Sequence, residues 1–162
     1  MLACAVATSI AGQDDKWPSL SYLRHDYNQS KIVARVQVRE AEIVNRIGGY
    51  EDWRLVCDIV EPFKGRVRKG QEFVFYHGAE AGFKKDTFLG DKIIFLIRNY
   101  VEKENKWVYA VIENSTLPYN EDRGKKLRTI ARSLRRRQRT ALSVPTASAV
   151  GINKRAGLTK FI

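Results

Sequence analysis

From Trp53 to Gly65 the chain alternates. Trp53, Leu55, Cys57 and Ile59 fall on one side of a period-two pattern, and Arg54, Val56 and Asp58 fall on the other. This is how a β-strand reads when one face meets a core and the other meets water. Pro62 has no N–H to give a central ladder and it restricts Glu61 before it, so pairing should weaken there; Gly65 then supplies a turn. A long strand therefore ends in a Glu61–Gly65 corner.

The same alternation runs upstream from Lys31 to Val44, with Ile32, Ala34, Val36 and Val38 on one face and Val33, Arg35, Gln37 and Arg39 on the other. The shift to Ala41 and Ile43 predicts a bulge or bend near Glu40. The glycine-rich turn at Gly48 and Gly49 makes the two strands a hairpin. Beyond a basic loop, Arg66–Gly70, residues Glu72–His77 form a short aromatic strand, and Ala79–Gly90 has no period and reads as a loop holding a short turn. Lys92–Ile97 is apolar on both faces, which predicts cover on both sides. Lys106–Ile112 is the fifth strand. With little room for crossover helices, the expectation is a mainly β fold: a five-stranded antiparallel barrel of OB type, curled to hide its edges.

A helix is expected on each side of the barrel. At the N-terminal side Leu20, Leu23 and Tyr27 recur at helical spacing after Pro18, and Asn28–Ser30 ends the run. At the C-terminal side Asn120 can cap an amphipathic helix whose Leu127, Ile130, Ala131 and Leu134 form one apolar stripe. The domain is expected over residues 17–138. Residues 1–16 read as a partial export signal or a disordered N-terminus, and 139–162 as a basic, disordered tail.

The net charge of +11 divides unevenly. Residues 1–120 carry 17 basic against 16 acidic side chains, and residues 121–162 carry 12 against 2. A nearly neutral body with a basic end suggests contact with an acidic polymer or an anionic lipid surface through the C-terminal helix, with Arg132, Arg135, Arg136 and Arg137 as its basic face; a solvated helix face is the plainer reading. Cys4 and Cys57 are too few for a disulfide framework or a zinc site. The small apolar run through Ala11, with Ser9 and Ala11 at signal-peptidase positions, points outside the cytoplasm, whether secreted, periplasmic or lipid-anchored through Cys4; otherwise the chain is cytoplasmic. No run of about 18 apolar residues is present to span a membrane.

With these elements placed, the chain resembles the netrin-like module, the OB-type barrel also found as the N-terminal domain of tissue inhibitors of metalloproteinases, in a bacterial-type form. The resemblance rests on Ser30–Val36, Val60–Gly65 and Leu89–Leu96. It implies the barrel fold and a role in protein binding. The inhibitors chelate a protease's zinc through an N-terminal cysteine held by disulfides. This chain has no Cys-x-Cys opening and lacks those cysteines, so inhibition does not carry over with the fold.

His25 and His77 lie in different elements, and no phosphate loop or nucleophile elbow is present, so an enzyme is not expected, nor a cofactor or metal. The leading expectation is an exported binding module that meets an unidentified protein or an envelope component through its loops, with Glu61, Phe63, Lys64, Arg66, Arg68, Tyr50 and Phe83 as candidate contacts. The alternative is a cytoplasmic nucleic-acid-binding protein in which Tyr76, Trp107 and Tyr109 stack bases and the arginine-rich helix follows phosphates.

Overall fold

The structure, a computed structural model, describes residues 18–101 and 105–143. The element order is α1 (Leu20–Gln29), β1 (Ile32–Ile47), β2 (Tyr50–Lys64), β3 (Glu72–Glu80), β4 (Gly90–Val101), β5 (Lys106–Pro118) and α2 (Glu121–Ser143), with one 3-10 turn at Lys85–Thr87 between β3 and β4. The strands close into a ring in the order β1-β2-β3-β5-β4.

One of the ring's pairs is the hairpin the sequence favours. β1 and β2 form the predicted hairpin, turning at Gly48 and Gly49, whose φ values of 56° and 86° suit a tight two-residue turn. The β1–β2 register shifts between Val38 and Glu40, where the pattern predicts a bulge, and shifts again at Val33/Ala34, Arg35/Val36 and Ile43/Asn45. These irregularities bend β1, so its first half pairs with β4 while the whole strand pairs with β2.

One expectation is corrected: the sheet is mixed. β3 and β5 run parallel and meet through a single register pair, Tyr76 and Ala110. The reason is topological. Strands joined antiparallel all round must alternate in direction, and a ring of five cannot alternate at every junction, so one junction is parallel.

Two apolar clusters lie on the two faces of this ring. The inner one gathers Ile32, Ala34, Val36, Trp53, Leu55, Cys57, Ile59, Phe75, Phe88, Ile94 and Leu96. The outer one places Val33, Phe63, Ile93, Phe95 and Leu117 against Leu23 and Tyr27 of α1 and Leu127, Ile130 and Ala131 of α2. β4 is thus covered on both faces, as its unbroken apolar run predicts. Each such fully buried Leu, Ile or Phe contributes about 1.5–3 kcal/mol over exposure. Leu20 is an exception to the predicted α1 stripe and stands exposed.

Asn120 caps α2 as the sequence suggests, its Oδ1 accepting from Arg123 N at 2.8 Å. α1 begins after Pro18 rather than with it, and its cap is Ser19, whose Oγ accepts from Tyr22 N at 3.2 Å. α2 runs through Arg139 to Ser143, so the opening residues of the 139–162 segment are helical. The rest of that segment and residues 1–16 lie outside the described residues.

Gly65 ends β2 at φ 97°, and a Cβ there would stand 2.7 Å from Lys31 O and 2.9 Å from Ile32 Cγ1. Gly48 also has positive φ, but a Cβ there would meet nothing within 4 Å. In urea unfolding, Gly65→Ala should therefore cost about 1–3 kcal/mol more than Gly48→Ala, because it adds a backbone clash to a comparable dihedral strain. Equal losses would show that the corner and the start of β1 separate freely.

Candidate functional site

The Glu61–Lys64 corner, read from sequence as a contact surface, lies under the helices. The Glu61 carboxylate accepts from Arg128 Nε and Nη2, both at 2.9 Å, while Arg128 Nη1 donates to Glu121 at 2.7 Å. Phe63 is only 3% exposed and packs in the outer cluster, and its carbonyl accepts from Tyr27 OH at 2.8 Å. Lys64 Nζ donates to Tyr27 O at 2.6 Å and Asn28 O at 3.1 Å, at the carbonyl end of α1. These three side chains fasten the helices to β2. Arg66 and Arg68 stand exposed on the connection to β3.

Electrostatics follow from these contacts. The hydrogen-bonded Arg128 guanidinium holds the Glu61 carboxyl below its ordinary value, and the carboxylates in turn raise Arg128. Burial lowers the Lys64 ammonium, and nearby Lys31 lowers it further.

Tyr50 and Phe83 lie at the other end of β2. They line a cleft of about 420 Å³ with His77 to Glu80 on β3 and Val111 and Ile112 on β5. Behind His77 and Phe83 the buried Phe88 continues the aromatic contacts into the core: it lies 4.7 Å from Trp53, 5.2 Å from His77 and 6.1 Å from Phe83, ring centre to ring centre. Burial pushes the His77 imidazole below its ordinary value, and its Nδ1 lies 3.4 Å from Thr116 Oγ1. Trp53 is core, as its strand position predicts, with a buried indole N–H that meets no acceptor among the described residues.

A second cleft, of about 630 Å³, opens on the other side of the β3–β5 junction. Val44, Asn45 and Asp52 of the β1–β2 hairpin form one wall, and Asn99, Val101 and Val108 of the β4–β5 hairpin form the other. Tyr76 and Ala110, the lone register pair, lie between them. None of the hairpin-wall residues was singled out from sequence. The signal available was Val44 and Ile47, apolar residues flanking a polar turn with no buried partner in the alternation.

The base-stacking candidates separate. Trp107 is exposed beside Tyr100, with the Arg98 guanidinium 4.9 Å from its ring, and Tyr76 lines the second cleft. Tyr109 instead packs inward, 5.3 Å from Phe73. Arg132, Arg135, Arg136 and Arg137 are all on exposed positions of α2. Cys57 donates to Phe73 O at 3.4 Å, and burial pushes its thiol up to about 12, so it stays protonated at neutral pH. Among the described residues no group of three or more His, Cys, Asp or Glu could hold a metal ion.

The Glu61–Arg128 pair sets a pH dependence. Folding holds the Glu61 carboxyl below 4.5, so its contribution is present above that pH and is lost as pH falls through the folded value. Both side chains are about a third exposed, so the bidentate pair is expected to contribute about 1 kcal/mol. Glu61→Gln should lower stability by that amount at neutral pH, with the gap to the parent closing below about pH 4.5; a gap that persists in acid would mean the pair does not carry the effect.

The chain matches no protein-family model and no curated protein sequence.

Proposed function

We propose that the protein is a non-enzymatic binding module that grips a partner protein or envelope component with the two hairpins that flank the β3–β5 junction of its ring. One observation carries this reading. Among the described residues, every large hydrophobic side chain left exposed, Leu20 apart, belongs to the β1–β2 hairpin, the β3–β4 connection or the β4–β5 hairpin: Val44, Ile47, Tyr50, Phe83, Tyr100 and Trp107. Ile47 is 61% exposed, Tyr50 60% and Trp107 56%. Rigid aromatic and branched side chains grouped around clefts are the usual anchors of protein recognition.

The strand order β1-β2-β3-β5-β4 supports reading the ring as an OB-type barrel, and with it the netrin-like resemblance. The protonated Cys57 and the separated histidines fit a role in binding rather than catalysis. A location outside the cytoplasm rests on the small apolar run through Ala11 alone.

The nucleic-acid reading is weaker because the arginines of β1 and β2 are already engaged. Arg39 pairs with Asp58 and Glu72, Arg54 with Glu42 and Arg46 with Glu51, which leaves β1 to β3 little to offer a polyanion.

A photo-crosslinking side chain placed at Tyr50 or Trp107, in cells that express the chain, should give one discrete adduct of common mass, recovered outside the cytoplasm. The same group at Arg136 on α2 should not give it. Adducts of equal yield from all three positions, or none from the two hairpins, would overturn the hairpins as the contact surface. An adduct confined to the cytoplasm would overturn the export reading.

A further inference from the structure

The sequence sets apart two groups of candidates, the Glu61–Arg68 corner and the arginines of α2, and folding joins them. A third cleft, of about 350 Å³, lies where the end of α1, the end of β2 and α2 converge. Lys64, Arg135 and Arg137 line it, over an apolar floor that includes Phe63, Ala131 and Leu134. Residues two apart on a helix point about 200° apart. Arg135 and Arg137 share one cleft because the stripe between them, at Leu134 and Gln138, faces it.

The charge of this cleft is unbalanced. No Asp or Glu lines it, and among the described residues neither Lys64, Arg135 nor Arg137 has a carboxylate partner. On the strands, by contrast, Arg35, Arg39, Arg46 and Arg54 are all paired. Lys64 is held in place by the two α1 carbonyls, which use two of its three N–H donors and leave one. Lys31 is near enough to lower Lys64, and Arg135 near enough to act on Tyr27. Like charges gathered over an apolar floor repel one another unless an anion joins them.

We propose that this cleft binds a phosphoryl group. A phosphate monoester carries about −1.5 to −2 charge near neutral pH and presents three terminal oxygens. That matches one fixed ammonium from β2 and two guanidinium forks from α2 that approach from either side of the cleft. A carboxylate, flat and singly charged, satisfies fewer of them. The site lies at the opposite end of β2 from Tyr50, so it is separate from the hairpin surface. The phosphoryl group can belong to a soluble monoester or to a lipid headgroup.

Calorimetric titration of the full chain in low-salt buffer with inorganic phosphate and with glycerol 3-phosphate tests the soluble source. Co-sedimentation with phosphatidylcholine vesicles, with and without phosphatidic acid, tests the lipid source. Paired substitution Arg135→Gln with Arg137→Gln should weaken whichever binding occurs by about tenfold or more. Arg132→Gln with Arg136→Gln, which removes the same charge from exposed helix positions outside the cleft, should leave it within about twofold, since unfocused surface charge is largely screened. Binding of the soluble probes with this asymmetry assigns a soluble ligand, and binding to phosphatidic acid vesicles alone with the same asymmetry assigns a headgroup. Equal weakening by both pairs would mean diffuse attraction by the helix and would overturn the site, as would failure to bind every probe.

Discussion

Closing five strands into a ring forces one parallel junction, and much of the molecule's surface chemistry follows from it. β1–β2, β2–β3, β1–β4 and β4–β5 pair over long registers, whereas β3 and β5 meet at Tyr76 and Ala110 alone. Where backbone pairing runs out, the clefts of about 420 and 630 Å³ open beside that one pair. The gap is lined with side chains rather than closed by a ladder. The hairpins that carry the exposed Val44, Tyr50 and Trp107 flank it, which is why the binding reading falls at this junction.

The other consequence of closure is that the ring has an outside. Val33, Ile93, Phe95 and Leu117 point away from the inner core and would face water without α1 and α2. The helices are therefore part of the hydrophobic structure, and polar contacts fix where they sit. Arg128 bridges Glu61 and Glu121, Tyr27 reaches the Phe63 carbonyl, and Lys64 reaches the end of α1. A further clamp joins β1 and β4: Arg35 binds Asp91 through both carboxylate oxygens, with its guanidinium 3.6 Å from the centre of the Tyr119 ring just before α2. The corner that looks from sequence like a free recognition loop is occupied by this fastening. What it leaves open is the cationic cleft beside Lys64, built from the same residues.

The local pattern was readable wherever burial repeats with the period of the element. The two faces of β1 and β2, the doubly covered β4, the stripe of α2, the bulge beside Glu40 and the Gly48–Gly49 turn all follow from spacing, because side-chain direction is set by backbone geometry one residue at a time. The sites were harder. Glu61 and Arg128 are far apart in the chain, and a charged residue at a strand end looks alike whether it meets water or a guanidinium. Tyr50 and Phe83 were identified singly, but their meeting across one cleft with His77 depends on how β3 swings away from β5.

Sequence alone determined the kind and order of the five strands and two helices, and most of the faces that must be hidden, since alternation and stripe are one-dimensional consequences of burial; the ends of β3, β5 and α2 lie beyond where the pattern stops. It also determined that positive charge gathers near the C-terminal end. Tertiary structure alone decided that the ring closes through one parallel contact, that Glu61, Phe63 and Lys64 face the helices, and that Lys64 shares a cleft with Arg135 and Arg137. Those outcomes depend on the bending of β1 and on closure of the ring, which bring together residues whose spacing along the chain carries no periodic trace.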